Sequence, residues 1–221
     1  MGSNGFKKHG GGKSAPSERE IEELVGKTLH ILNDDEAQNK LSGFCETPFF
    51  QLRDNPAEGL VDLRGYGSTE NPIRVNGALG ELAYLSKLLT EDGQPLIFHR
   101  LGSMPATPNI LDIYELVSID GKLWQFLAMD FYHTRKSSHA PQGFHFVKAC
   151  IGLNGIDKFL PSFPAGIQKA AMDCALAMTG LPCANPLIRD VDTSGFTPPP
   201  EHVKLREKIR GKLAAVSVQG S

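Results

Sequence analysis

The stretch with the greatest variety of reactive side chains runs from Asp130 to His145 and holds three of the seven histidines. It follows an apolar run typical of a strand, and the loop after a strand commonly presents reactive groups. Because an imidazole titrates near neutral pH, His133 can give or take a proton there. We therefore predict an acid–base pair in which Asp130 orients His133.

Cationic side chains in the same stretch predict a bound anion. Arg135 offers paired N–H donors and Lys136 offers a compact charge, and both suit phosphate or carboxylate. His139 follows closely and is a further candidate for contact with substrate. The alternative interpretation is an ordinary solvated loop, since Arg-Lys-Ser-Ser is a common type of surface sequence and a D-x-x-H spacing often arises by chance.

A second polar pair, His99 and Arg100, interrupts another apolar segment. Neighbouring strand residues point to opposite faces, so only one of the two can face the core side. If this strand lay beside the one that ends at Asp130, either residue would complete a cluster of His, Arg and Asp. The competing interpretation is one surface residue and one hydrogen-bonded structural group.

Three further patterns indicate chemistry only weakly. Asp130, His133 and His139 are metal-ligand types, but their spacing matches no ligand motif and no metal site is predicted. Cys45 can act as a nucleophile only if a distant histidine supplies the base. The glycine-rich loop over 64–72 can line a cleft and attract an anion through its N–H groups. None of these patterns identifies a cofactor.

Composition predicts one folded domain with tails. The chain has 221 residues, of which 40% are hydrophobic and 22% charged, values near the globular average. Residues 1–16 are rich in glycine and contain no acid, which predicts a disordered basic tail. A single domain is expected over 17–190, then a proline-rich linker over 191–200 and a basic helix and tail over 201–221.

Hydrophobic periodicity predicts an α+β fold. Apolar residues at helical spacing indicate helices near 18–32, 78–90 and 164–179, and Ser17 with Glu20 forms a capping-box sequence before the first. These helices are expected to cover a sheet.

The sheet is predicted to be small and mostly antiparallel, with strands near 95–101, 111–119 and 122–132. Asp120-Gly121 predicts a hairpin with a type I′ turn between the last two strands. The last strand is apolar on both faces, which predicts a central position. In the strand before it, Glu115 is the one exception on an otherwise apolar face.

Charge and hydropathy narrow the range of partners. The net charge of −2 gives no global attraction to nucleic acid, which only the basic C-terminal helix would bind. No run approaches the ~18 apolar residues of a membrane span, and the N-terminus lacks the apolar core of a signal peptide. We expect a cytoplasmic protein, with signal-independent secretion left open, that binds a small anionic ligand or an acidic protein.

Two functions fit these residues. The first is an enzyme that acts on an anionic or phosphorylated substrate by acid–base chemistry. The second is a non-catalytic interaction module of regulatory or effector type, which uses the loop over 133–145 and the C-terminal helix. The residues assigned to the enzyme are Asp130, His133 and His99 for catalysis and Arg100, Arg135, Lys136 and His139 for substrate binding.

Overall fold

A computed structural model describes residues 16–42, 53–54, 61–106 and 109–219, and within them the chain has the predicted α+β fold. Nearly all of the predicted tail, and Cys45, lie outside these residues. The helices are α1 (Glu18–Asn33), α2 (Asp35–Leu41), α3 (Gly77–Lys87), α4 (Ile167–Thr179) and α5 (Pro200–Gln219). The strands are β1 (Ile73–Arg74), β2 (Leu88–Thr90), β3 (Leu96–Ala106), β4 (Asn109–Ser118), β5 (Trp124–Asp130), β6 (Phe144–Phe146) and β7 (Gly155–Ile156).

The main sheet has five strands in the order β1-β5-β4-β3-β7. β3, β4 and β5 pair antiparallel, while the short strands β1 and β7 add parallel edges. β2 and β6 form a separate pair. The prediction that β5 is central was wrong, because β4 is the middle strand. β5 is apolar on both faces because other elements pack against both faces of the sheet. Such packing does not require a strand to be the middle one.

The predicted hairpin between β4 and β5 is confirmed, but its turn differs from the prediction. Val117 pairs with Trp124, and a five-residue loop over 119–123 joins the strands. Within the described residues only glycines have positive φ, and Gly121 is at +75°. A type I′ turn also needs positive φ at Asp120, so the loop is of another type.

Gly121 provides a test of this loop, because a Cβ there would lie 2.9 Å from the Phe196 ring in addition to the positive φ. We expect Gly121→Ala to lower the free energy of unfolding by about 1–3 kcal/mol in denaturant titrations. Gly195 is the matched control, since an added Cβ there meets nothing within 4 Å and its φ is not positive. Equal effects of the two substitutions would contradict this account of the loop.

Helices cover both faces of the sheet. On one face, α3 is almost entirely buried and its Glu81 accepts a hydrogen bond from the hydroxyl of Tyr114 on β4. On the other face, Leu213 of α5 packs in a small core cluster that includes Ile113 and Ala128. α5, the helix predicted to follow the proline-rich linker, therefore packs on the sheet. No helix in the described part of the chain has the length and apolar character needed to cross a membrane.

The predicted first helix is confirmed as α1, including its capping box. Ser17 N–H donates to the Glu20 carboxylate at 2.7 Å, and Glu20 N–H donates to Ser17 Oγ at 3.4 Å. Leu32 is its one buried residue, and Ile21, Leu24, Val25 and Leu29 are 37–51% exposed.

Candidate active site

Three buried carboxyl groups lie at one end of the sheet, on α3, β4 and β5. They are Glu81, Asp112 and Asp130, here called the carboxyl cluster, and they are 0%, 1% and 5% exposed. Asp112 pairs in register with the residue before Asp130, which places the two aspartates on neighbouring strands. Partial burial raises the pKa of Tyr132, and the nearby charges of Asp112, Asp130 and Glu81 raise it further. The half-buried Tyr132 therefore lies near the whole cluster.

Glu81 and Asp112 form a coupled carboxyl pair. Burial, together with the nearby charge of Asp112, raises the pKa of Glu81 well above its usual value. Tyr114 donates a hydrogen bond to Glu81 Oε2 at 2.9 Å, whereas Oε1 has no donor among the described residues. Burial and the neighbouring acid thus both favour the protonated form of Glu81.

Asp112 is fixed by two residues of β3. Arg100 Nη1 donates to Asp112 Oδ2 at 2.8 Å, and Ser103 Oγ donates to Oδ1 at 2.5 Å. The Arg100 side chain is 32% exposed, while that of Asp112 is 2% exposed. The guanidinium thus joins a buried carboxylate to the protein surface.

Asp130 has a similar arrangement with Arg53. Arg53 Nη2 lies 2.5 Å from Asp130 Oδ2, and the Arg53 side chain is 39% exposed. His133 is buried, with Nε2 at 3.5 Å from the same oxygen and no partner for Nδ1 among the described residues. Although burial opposes ionisation, contacts with His133 and Arg53 lower the pKa of Asp130 to about 2. The predicted pair of Asp130 and His133 does meet, and it lies against an arginine that the sequence did not point to.

The remaining cations of the predicted loop contact other parts of the molecule or solvent. Lys136 forms an ion pair with Asp35 and donates to Gln38 Oε1 at 2.6 Å, so it ties the loop to α2. Burial lowers the pKa of Lys136, although Asp35 opposes this change. Arg135 is exposed. His139 is half-buried, and its carbonyl accepts a hydrogen bond from the Tyr84 hydroxyl at 2.5 Å.

His99 lies apart from this site because β4 separates β3 from β5. Its Nδ1 accepts the Leu160 N–H at 3.0 Å, so Nε2 carries the proton and donates to Glu115 Oε2 at 3.0 Å. The ring stacks on Phe163 at 4.1 Å, and burial lowers the pKa of His99. The prediction that His99 faces Asp130 required β3 and β5 to be adjacent, and they are not.

Glu115 is the centre of a second polar group, which consists of Glu115, His99, His202 and Arg206 and is here called the Glu115 cluster. His202 Nε2 donates to Glu115 Oε1 at 2.9 Å, and Arg206 Nε donates to Oε2 at 2.8 Å. Burial opposes ionisation, but hydrogen bonds from His202, His99 and Arg206 lower the pKa of Glu115 to about 2. Because His202 and Arg206 belong to α5, this carboxylate anchors α5 to the sheet.

The low pKa of Glu115 predicts a loss of stability in acid. A carboxyl group with a depressed folded-state pKa stabilises above its unfolded pKa, here 4.5, and loses that contribution as the pH falls towards 2. We expect Glu115 to account for about 3 kcal/mol over this window. The unfolding free energy of wild type should therefore fall more steeply with decreasing pH than that of Glu115→Gln. Parallel curves would contradict this role.

Among the described residues, no group of three or more His, Cys, Asp or Glu side chains is arranged to hold a metal ion. Comparison with known protein families, with curated proteins and with solved structures found no match to this chain. Its function must accordingly be inferred from the chemistry of the site.

Proposed function

We propose that this protein is an enzyme that acts on an anionic or phosphorylated substrate by acid–base chemistry at the carboxyl cluster. One observation carries the proposal: Arg53 and Arg100 are each anchored by a buried aspartate and each about one-third exposed. A guanidinium has five donors, and one bond to an aspartate leaves others for an anion. Arg100 lies near the buried acid Glu81, and Arg53 shares Asp130 with His133, so each guanidinium accompanies a group that can transfer a proton.

The proposed roles follow from the position of each group. His133, oriented by Asp130, takes a proton from the attacking water or hydroxyl. Glu81, with its raised pKa, gives a proton to the leaving oxygen. Arg53 and Arg100 neutralise the negative charge that develops on the substrate.

The energetic cost of these groups supports a functional reason for them. Burying carboxylates and an imidazole costs desolvation energy that apolar residues of similar size would avoid. Glu81 Oε1 and both ring nitrogens of His133 lack hydrogen-bond partners among the described residues, which adds to that cost. Buried polar atoms without hydrogen-bond partners are expected at functional sites, where pKa values are also commonly perturbed.

The proposal is tested by turnover of chromogenic esters with the full chain. The probes are p-nitrophenyl phosphate and bis(p-nitrophenyl) phosphate, each assayed with Mg²⁺ and with EDTA, and neutral p-nitrophenyl acetate is the control ester. We expect Asp130→Asn to lower hydrolysis of the preferred phosphate about 100-fold. The matched control is Asp173→Asn, at an exposed aspartate on α4 that pairs with Lys169.

Either of two results would contradict the proposal. One is that wild type hydrolyses neither phosphate ester and shows no thermal stabilisation by inorganic phosphate. The other is that Asp130→Asn and Asp173→Asn retain equal turnover.

A second candidate is the interaction module, and the exposed basic residues of α5 favour it. Lys204, Lys208, Arg210 and Lys212 are all exposed, and an acidic protein would complement them. Polyglutamate is the probe for this function. Binding of polyglutamate without any phosphate turnover would favour the module over the enzyme.

A further inference from the structure

A separate cleft lies on the face of the sheet that α5 covers. Its floor includes Ile113, Phe126 and Ala128, and its helical wall includes Leu205 and Ile209 of α5. The Asp112 side chain alternates with that of Ile113 along β4, so Asp112 lies on the other side of the sheet. None of the residues that line the cleft belongs to the proposed active site.

The glycine-rich loop that was predicted to line a cleft forms the second wall through Gly67, Ser68 and Thr69. The Gly67 carbonyl accepts the Ala128 N–H at 2.8 Å, which fixes the loop to the edge of β5. Ser68 Oγ accepts the N–H groups of Glu70 and Asn71 at 3.3 and 3.2 Å. The Ser68 side chain also contributes to the lowered pKa of Glu70, so its hydroxyl is engaged within the loop.

Two lysines, Lys208 and Lys212, supply positive charge along the α5 edge of the cleft. They are one helical turn apart, so their side chains lie on the same side of α5. Neither forms an ion pair within the part of the chain that the structure describes. Lys212 is near enough to Glu70 to contribute to the lowered pKa of that carboxyl. A bound anion would give both ammonium groups a partner.

The volume of the cleft limits the size of its ligand. It is about 230 Å³, more than the ~150 Å³ apolar cavity that holds benzene. It is below the roughly 300–1,000 Å³ of sites for drug-sized ligands. A single ring or a short alkyl chain would fill it.

We infer that this cleft binds a small amphipathic carboxylate, with its apolar part on the sheet and its carboxylate between Lys208 and Lys212. The apolar floor contributes through removal of hydrocarbon from water. The lysines select the charged end and orient the ligand. This inference does not depend on the proposed enzymatic activity.

The test is calorimetric titration of the full chain with three probes: octanoate, 1-octanol and acetate. Octanoate has both chemical features, octanol has only the chain, and acetate has only the charge. We expect saturable binding of one octanoate, weaker binding of octanol and no measurable binding of acetate. Lys208→Ala/Lys212→Ala should weaken octanoate about tenfold, as expected for two partly solvated ion pairs, and leave octanol unchanged.

Two further variants sharpen the result. Lys204→Ala removes an α5 charge that does not line the cleft, and it should leave octanoate binding intact. Leu205→Ser removes part of the apolar wall at a position 45% exposed, and it should weaken octanoate and octanol alike while α5 still folds.

Three outcomes would overturn the inference. The first is no octanoate binding, and the second is octanoate binding that the double lysine variant does not weaken. The third is a concentration-dependent dimer in sedimentation that Leu205→Ser abolishes, since a second copy of the chain would then occupy the cleft.

Discussion

Replacing Glu115 by alanine is expected to lower the free energy of unfolding by about 3–5 kcal/mol, because removal of one member of a buried ionic group leaves its partners uncompensated. Glu115 is 1% exposed and accepts hydrogen bonds from two histidines and an arginine. Denaturant titration measures the total loss. Hydrogen exchange should show that α5 loses protection before β4, since two of the three donors belong to α5.

The matched control is Glu23→Ala. Glu23 also forms an ion pair, at 2.8 Å from Lys27, but both side chains are about 60% exposed. Its loss should leave the unfolding free energy nearly unchanged, because an exposed ion pair is screened by solvent. If Glu115→Ala cost no more than Glu23→Ala, the Glu115 cluster would not anchor α5.

Replacing Glu81 by glutamine is expected to lower turnover of the phosphate ester that wild type prefers by about 1,000-fold. Glutamine keeps the volume of the side chain and an acceptor for the Tyr114 hydroxyl, but it has no proton to transfer. An acid catalyst acts while protonated, so the wild-type rate should fall as the pH rises through the elevated pKa of Glu81. This alkaline limb of the pH–rate profile should be absent from the residual activity of Glu81→Gln.

Tyr114→Phe separates proton donation from a structural role. The Tyr114 hydrogen bond lowers the pKa of Glu81, so its removal should move the alkaline limb to higher pH. A merely structural residue would change the rate without moving the limb. Full turnover by Glu81→Gln would exclude Glu81 as the acid.

Features that depend on neighbouring residues could be predicted from the sequence. The Ser17–Glu20 capping box and the hairpin at Gly121 involve contacts over a few positions. Asp130 and His133 are three residues apart, and they meet as expected. The chain itself holds such groups close together, so local patterns suffice.

Partners from distant parts of the chain could not be predicted in the same way. Arg53 reaches Asp130 across 77 positions, and His202 reaches Glu115 across 87. These contacts depend on which elements are neighbours in the fold. Hydrophobic alternation along a strand does not specify the order of strands in a sheet. The prediction that brings His99 to the Asp130 site requires adjacent strands, and β4 separates the two strands.

Acids at core positions of the sequence indicate buried polar groups. Glu81, Asp112 and Glu115 are acids within apolar segments. A charged residue seldom remains fully buried without a partner, so an acid at a core position indicates a polar cluster. All three prove to be centres of hydrogen bonding within the core.

Carbon-13 NMR of the full chain, labelled at the glutamate carboxyl carbons, tests the central claim most directly. The Glu81→Gln variant identifies the resonance of Glu81. We predict that this carboxyl is still protonated at neutral pH and that its resonance shifts when inorganic phosphate is added, because the proposed anion site includes Arg100, which lies near Glu81. A Glu81 carboxyl that is fully ionised at neutral pH and insensitive to phosphate would contradict an acid–base site at the carboxyl cluster.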